Sequence, residues 1–178
     1  MSIKLVGSGD ETSGDTVGAN YFVWRKFTAE ASGSMVEFRI KMQGNGNIKA
    51  AIYSDSGGEP DALLASVGST ACTTGWNTIA FTSTAIVSGT VYWLCINQET
   101  ISTAGIVASG AVSRYLSSAY TNAFPDPAGS LSSATWGIIA AGWGITSNIL
   151  KVSGVAYASI SKISGVAIAS VKKVAGLA

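Results

Sequence analysis

The chain has 178 residues, a net charge of +1 and only 12% charged residues, and it contains no histidine. The absence of histidine excludes Ser-His-Asp and Cys-His nucleophile systems and the usual zinc sites. Three prolines, low charge and many apolar residues argue against a disordered chain. This length builds one core plus an appendage rather than two ordinary domains, and the small net charge predicts no general attraction to nucleic acid.

The first part of the chain predicts an arm followed by antiparallel strands. Residues 1–19 are rich in Gly, Ser, Thr and Asp and predict an N-terminal arm, and "YFVWRKF" predicts a strand over 21–27. The turn "QGNGN" predicts a hairpin in which "IKAAIY" is the partner of the preceding strand. In that preceding strand, "SMVEFRIKM", apolar and charged residues alternate. Its inward face is Val36, Phe38, Ile40 and Met42, and its outward face is Glu37, Arg39 and Lys41.

Further strands follow, separated by turn signals at intervals of roughly ten residues. "EPDALLAS" is the only helical candidate, and two strands flank the turn at Thr74 and Gly75. These patterns predict an all-β protein, with a jelly-roll-like β-sandwich body over 20–143 and a short repetitive β tail over 144–178. In "VYWLCIN" the expected faces are Val91, Trp93 and Cys95 on one side and Tyr92, Leu94 and Ile96 on the other.

The tail, "KVSGVAYASISKISGVAIASVKKVAGLA", repeats every eleven residues, with Lys151, Lys162 and Lys173 each at the start of the phrase. A right-handed helical coiled coil has this period, but the recurring glycine and the β-branched residues disfavour a helix. Ser-Gly turns would instead give a hairpin meander, in which Ile163 lies opposite Val166. Repeats from several chains can also wrap into an intertwined β-prism.

Either β structure leaves an apolar surface that a short repeat array cannot bury alone. We therefore expect the tail to assemble or anchor the protein. The residues expected to form this assembly surface are Val152, Gly154, Val155, Tyr157, Ile160, Ile163, Gly165, Val166, Ile168, Val171 and Val174.

The charge is unevenly distributed along the chain. The first 126 residues hold all ten acidic residues, whereas Pro127 to Ala178 contains none and has four lysines. These lysines are candidates for contacts with an anionic surface, and a solvated edge that prevents aggregation between sheets is the alternative. They are Lys151, Lys162, Lys172 and Lys173.

Several phrases of the body resemble a known module. "GNIKAAIYSDSGGEPDALLASVGSTACTTGWNTIAFTSTAIVSGTVYWLCIN" combines a strand that ends in IYSD, a Gly/Pro loop, an LLA step and the phrases GWN, SGT and YWL. It resembles a jelly-roll module of phage structural proteins and of some large secreted proteins, over residues 20–143. The tail phrase K-I-S-G-V-A resembles repeats of phage tail and virion proteins. Neither resemblance brings catalytic residues with it.

Acidic residues supply two weak candidate sites. Asp55, Glu59 and Asp61 in "DSGGEPD" offer the oxygen ligands that calcium takes from turns, and a solvated turn is the alternative. Glu37 and Glu99 are of the type used for glycoside cleavage, but nothing in the sequence places them together.

The five tryptophans raise the alternative of carbohydrate binding, because an aromatic ring can stack on a sugar. Trp93 is flanked by alternating apolar residues and is expected in the core. Trp76 follows a turn and Trp143 lies between glycines, so these two are the candidates for ligand stacking. Packing within the protein is the alternative for each.

The N-terminus has no apolar run of signal-peptide length, and no stretch of 18 uninterrupted apolar residues predicts a membrane span. In a chain without a secretory signal, Cys72 and Cys95 are expected to be two buried free thiols, and a disulfide is the alternative.

Together these patterns favour a non-enzymatic structural protein of a virion, either a capsid decoration protein or a tail or fibre component, assembled in the host cytoplasm. The expected partners are the chain itself, as a homotrimer formed through the tail, and other virion proteins, with no cofactor. The alternative is a carbohydrate-binding module, on a particle or extracellular, that recognises a surface glycan.

Overall fold

The computed structural model describes residues 2–9, 15–100, 104–107 and 110–146, and the short segments 151–152, 155–156, 162–163 and 166–167. The chain divides into two units, Met1–Thr146 and Ser147–Ala178. All regular structure in the described residues is β-strand. This part of the chain has no helix of the length and hydropathy needed to cross a membrane.

The strands of the first unit are β1 (Ile3–Gly7), β2 (Asp15–Thr16), β3 (Tyr21–Thr28), β4 (Gly33–Met42), β5 (Gly46–Ser56), β6 (Glu59–Cys72), β7 (Gly75–Ile86), β8 (Val91–Gln98), β9 (Gly105–Val107), β10 (Ser113–Ser117), β11 (Ser132–Ala134), β12 (Gly137–Ile138) and β13 (Ala140–Ile145). Those of the second unit are β14 (Lys151–Val152), β15 (Val155–Ala156), β16 (Lys162–Ile163) and β17 (Val166–Ala167).

Two antiparallel sheets form a β-sandwich in the first unit. The four-stranded sheet has the order β1-β13-β4-β7, and the six-stranded sheet has the order β11-β10-β3-β8-β5-β6. A third sheet of three short strands has the order β12-β9-β2. The predicted all-β class and the sandwich are therefore confirmed, while the jelly roll and the repetitive tail stay predictions.

The main core lies between the two large sheets. Phe38 and Ile40 of β4 and Leu94 and Ile96 of β8 are completely buried there, as the hydrophobic effect favours. Other large members are Leu5, Val6, Met35, Met42, Ile48, Ile52, Ile79, Ile86 and Ile138.

A second buried cluster lies on the other face of the six-stranded sheet and includes Trp24, Tyr53 and Trp93. Residues 118–131, here called the covering segment, pack over it through Phe124, Ala128 and Leu131. Tyr53 Oη donates a hydrogen bond to the carbonyl of Pro125 at 2.8 Å, and the amide of Leu63 donates to Asp126 Oδ1 at 2.9 Å. The middle of this sheet is therefore buried on both faces.

Local alternation predicted the strand faces well. Trp93 and Cys95 belong to the second cluster and Leu94 and Ile96 to the main core, so the predicted split of β8 and the burial of Trp93 are confirmed. In β4 the register shifts between Met35 and Glu37, which makes Met35 the buried residue and leaves Val36 half-buried. The prediction for Val36 is wrong because a β-bulge changes the alternation there.

The predicted hairpin between β4 and β5 is wrong. β4 pairs with β13 and β7, whereas β5 pairs with β6 and β8 of the other sheet. Met42 and Ile48, on either side of the turn, both belong to the main core, so the chain crosses between sheets here. The helical candidate "EPDALLAS" is also wrong, because those residues form β6 and pair with β5.

The prediction of an arm over residues 1–19 is wrong where the chain forms β1 and β2. β1 pairs with β13 in the four-stranded sheet, and its Leu5 and Val6 are completely buried. β2 pairs with β9. β13 continues to Ile145, so the body extends past the predicted boundary at Trp143.

In the second unit, β14 pairs with β15 and β16 pairs with β17, both antiparallel. Val152 lies opposite Val155, and Ile163 lies opposite Val166. This pairing agrees with the hairpin alternative at these positions. The other residues predicted for the tail assembly surface lie outside the described residues, and the full hairpin meander and the β-prism stay predictions.

We expect Gly144→Ala to destabilise the protein by about 1–3 kcal/mol, the usual range for overpacking. A Cβ at Gly144 would lie 1.9 Å from the carbonyl oxygen of Ser34, and backbone cannot move aside as a side chain can. Gly68→Ala is the matched control, because a Cβ at that exposed position meets nothing within 4 Å. Urea unfolding of both variants measures the difference, and equal stability would contradict the close approach of β13 to β4.

Candidate functional site: a tryptophan-lined groove

The two tryptophans predicted as ligand-stacking residues line one groove on the outer face of the four-stranded sheet. Trp76 lies on β7 and Trp143 on β13, with β4 between these strands. The groove has a volume of about 480 Å³, within the range of roughly 300–1,000 Å³ that is usual for small-molecule sites. Its lining residues are Lys4, Ser8, Gly9, Arg39, Trp76, Thr78 and Trp143.

Strand register places charged residues between the tryptophans. On β4, Glu37 is opposite Trp143 of β13, and Lys41 is opposite Trp76 of β7. Arg39 lies between Glu37 and Lys41 and shares their outward face, because side chains two apart on a strand point the same way. The outward face predicted for β4 therefore supplies the polar side of the groove.

Trp76 is held beside a tightly braced turn. Gly75 has a φ of +100°, which glycine adopts readily, and Asn77 Oδ1 accepts a hydrogen bond from the amide of Thr73 at 2.9 Å. The amide nitrogen of the Asn77 side chain donates to the carbonyls of Thr73 and Gly75. Trp76 follows Gly75 directly and is 43% exposed. Its ring is therefore accessible to a ligand, while hydrogen bonds hold the backbone next to it.

Trp143 is in direct contact with Arg39. The guanidinium carbon Cζ of Arg39 lies 3.9 Å from the centre of the Trp143 ring, a cation–π contact. Arg39 Nη2 and Nε donate to Glu37 Oε2 at 2.7 and 3.1 Å, and Ser2 Oγ donates to Glu37 Oε1 at 3.4 Å. One side of Trp143 is thus covered by a paired cation.

A second ion pair lies at the edge of the groove. Lys4 Nζ lies 2.8 Å from Glu30 Oε1. Among the described residues that line the groove, the two cations, Lys4 and Arg39, therefore each have a carboxylate partner.

The sequence identified the tryptophans but not the groove. Arg39 was recognisable as outward-facing from the alternation of β4, and Trp76 from its position after a turn. That these residues meet depends on the pairing of β4 with β7 and β13, which no local pattern specifies. Lys4 and Ser8 lie in the stretch predicted as an arm, so the sequence does not predict their place in the groove.

The remaining tryptophans are not in this groove. Trp24 and Trp93 are completely buried. Trp136 is half-buried and stacks on Tyr115, with ring centres 6.0 Å apart. Both line a smaller cleft of about 310 Å³, together with Val17, Gly18, Tyr21 and Ser133.

Of the three carboxylates predicted as calcium ligands, two have protein partners. The first of these is Asp55. Its Oδ1 accepts a hydrogen bond from Trp93 Nε1 at 2.8 Å and lies 3.4 Å from Lys26 Nζ, and its Oδ2 accepts from the amide of Gly58. Burial acts to raise the pKa of Asp55, but these hydrogen bonds and the lysine charge outweigh it, and the pKa falls below its ordinary value.

Glu59 and Asp61 complete that set. Glu59 pairs with Arg114, whose Nε donates to Glu59 Oε2 at 2.6 Å, and this hydrogen bond lowers the pKa of Glu59. Asp61 is exposed. Within the described residues, no group of three or more His, Cys, Asp or Glu side chains could hold a metal ion.

The other candidates lie apart from the groove or outside the described side chains. Glu99 follows β8 in the six-stranded sheet and accepts a hydrogen bond from Asn47, so the structure gives it and Glu37 different partners. Cys72 and Cys95 are free and buried, as predicted, and burial raises the pKa of both thiols. The four tail lysines have no described side chain.

No protein-family model matches the chain, and no curated protein matches it either.

We expect Asp55→Asn to destabilise the protein by about 1–3 kcal/mol at pH 7, because the buried Trp93 Nε1 loses a charged acceptor. Since the folded-state pKa of Asp55 lies below its ordinary value of 3.8, this stabilisation is present above that value and is lost as pH falls through the folded-state pKa. The difference between wild type and variant should therefore shrink in acid. Urea unfolding from pH 7 to pH 2 measures it, with the exposed Asp61→Asn as control. A difference that stays constant over this range would contradict the role of the charge.

Proposed function

We propose that this protein is a carbohydrate-binding β-sandwich and that its ligand lies in the tryptophan-lined groove. The observation that carries this proposal is the exposed ring of Trp76 in a groove with Trp143 and Arg39. Sites for small ligands combine aromatic walls with a few placed polar groups. A sugar ring suits such a wall because it has an apolar C–H face and a rim of hydroxyl groups.

The surroundings of the groove favour a small polar ligand over a protein partner. The exposed residues that follow Trp76 on β7 are small or polar: Thr78, Ala80, Thr82, Ser83 and Ala85. A protein interface usually has an apolar core of larger side chains around its aromatic anchors. Trp76 instead stands alone as a large exposed ring on β7.

We propose binding without catalysis. The usual glycoside hydrolases use two carboxyl groups on either side of the scissile bond. Among the described residues that line the groove there is no carboxylate, and the adjacent Glu37 is held by Arg39.

We expect the intact protein to bind a subset of a glycan array and Trp76→Ala to lose that binding, because the ring contributes the stacking face. The expected loss of affinity is about 10-fold or more, from roughly 1–3 kcal/mol per aromatic stacking contact. Leu64→Ala is the matched control, because Leu64 is 42% exposed and lies on β6 of the other sheet. Affinity electrophoresis in gels that contain each bound polysaccharide provides the affinity. Absence of any glycan binding, or equal loss in the Leu64 variant, would contradict the proposal.

We propose as a second function that the chain is a structural component of a phage-like virion, with a jelly-roll body and a tail that joins copies into a homotrimer. The eleven-residue repeat and the antiparallel pairing of 152 with 155 and of 163 with 166 support this proposal. The two functions are compatible, since a displayed sandwich can recognise a glycan on a host surface.

We expect the full chain to be a trimer in solution and a version that ends at Thr146 to be a monomer, because the tail strands need partners to cover their apolar residues. Light scattering coupled to size exclusion measures both masses, and circular dichroism checks that the shortened version keeps its β structure. Monomers in both cases would contradict the assembly role of the tail.

A further inference from the structure

The two tryptophans of the groove differ in their contacts and exposure. The guanidinium of Arg39 lies over the ring of Trp143 at 3.9 Å, which occupies that side of the ring. Among the described residues, Trp76 has no ring or cation contact, and 43% of its surface is exposed. Trp76 is therefore the ring that can accept a stacked ligand. Trp143 supports Arg39.

The two cations among the described residues that line the groove are paired before any ligand binds. Arg39 donates twice to Glu37 Oε2, and Lys4 pairs with Glu30. An anionic ligand would gain attraction from Arg39 but would also approach Glu37, and like charges at close range are unfavourable. A neutral ligand meets no such opposition.

The pair of Arg39 and Glu37 presents donors beside acceptors. Arg39 Nη1 has no protein hydrogen bond among the described residues, and Glu37 Oε1 accepts only the 3.4 Å bond from Ser2 Oγ. A hydroxyl group both donates and accepts, so two neighbouring hydroxyls of one sugar match this arrangement. A carboxylate or a sulfate only accepts and matches the arginine alone.

We propose, on the basis of the proposed function, that the groove selects neutral sugars. In this assignment the ring of Trp76 stacks on the sugar, and Arg39 and Glu37 bind adjacent hydroxyls. Trp143 is a positioning residue, because its ring contacts the guanidinium of Arg39 and keeps that group where it can reach the ligand. Glu37 compensates the charge of Arg39, the cation assigned to the ligand, and is therefore the residue that determines specificity.

The first experiment compares neutral and acidic polysaccharides on the intact protein by affinity electrophoresis. The probes are a neutral galactomannan, a neutral β-glucan and xyloglucan, against polygalacturonate and a sulfated galactan. The inference expects retardation by at least one neutral polymer, with little dependence on salt, since no net charge pairing is involved. Glu37→Gln should lower the neutral affinity only several-fold and raise the affinity for acidic polymers about tenfold or more.

The outcomes separate this inference from the function on which it rests. Binding of acidic polymers alone would overturn the neutral specificity and leave carbohydrate binding intact. Binding of no polysaccharide of either class would overturn both. An unchanged preference in Glu37→Gln would overturn the role of Glu37 in specificity.

The second experiment tests the division of roles with intrinsic fluorescence and a neutral oligosaccharide cut from the bound polymer. Trp76→Phe keeps a stacking ring, so binding should persist within several-fold while the ligand-induced change in tryptophan emission is lost. Trp143→Phe keeps a ring for Arg39, and both the binding and the emission change should remain. Loss of the emission change in the Trp143 variant instead would overturn the assignment.

A double-mutant cycle tests the positioning role of Trp143. Arg39→Leu alone should weaken neutral binding about 10- to 100-fold, because hydrogen bonds from a charged group are lost. Trp143→Ala should weaken it through Arg39, and therefore should add nothing in the Arg39→Leu background. Additive losses would show that Trp143 contacts the ligand itself and would overturn the positioning role.

Discussion

The burial of the central strands of the six-stranded sheet on both faces is the constraint on which the rest of the sandwich depends. An antiparallel sheet usually has one solvated face, with polar residues alternating along each strand. β8 does not alternate in this way, because both of its faces are apolar. Leu94 and Ile96 lie in the main core, and Trp93 and Cys95 lie in the second cluster on the opposite face. The sheet therefore needs a second cover, and the covering segment supplies it.

That cover also has to satisfy the polar atoms that it removes from water. Tyr53 donates to Pro125 of the covering segment, whereas Trp93 Nε1 donates to Asp55 of β5, so these two buried aromatic side chains keep partners for their polar atoms. The cover also affects which outer face of the sandwich is open to a ligand. The covering segment closes the middle of the outer face of the six-stranded sheet, whereas the charged face of β4 lies with the two groove tryptophans on the outer face of the four-stranded sheet, where these side chains remain partly exposed.

The residue pattern of a single strand predicts the features that depend on that strand alone. The outward face of Glu37, Arg39 and Lys41 followed from alternation, and so did the two apolar faces of β8. The crossing from β4 to β5 could not be predicted in this way, because a tight turn rich in Gly and Asn serves a hairpin and a crossover between sheets equally well. The buried place of Met35 likewise depends on a bulge at Val36, which interrupts the pairing of β4 with both β7 and β13.

The candidate site shows the same division. The sequence marked Trp76 and Trp143 as candidates, since one follows a turn and the other lies between glycines. The contact of Arg39 with Trp143 joins residues of two strands, and it depends on the register that places Trp143 opposite Glu37. Lys4 and Ser8 join the groove only because β1 pairs with β13, far along the chain.

The brace that Asn77 forms around the turn before Trp76 has a thermodynamic consequence. The Asn77 side chain accepts one hydrogen bond from the Thr73 amide and donates two to the carbonyls of Thr73 and Gly75, so it holds the backbone that carries the Trp76 ring in the free protein. A ligand that stacks there does not have to immobilise a loop, and the entropic penalty of association is limited to its own tumbling and a few side-chain rotamers. For the proposed ligand, we therefore expect free and occupied forms with nearly the same backbone.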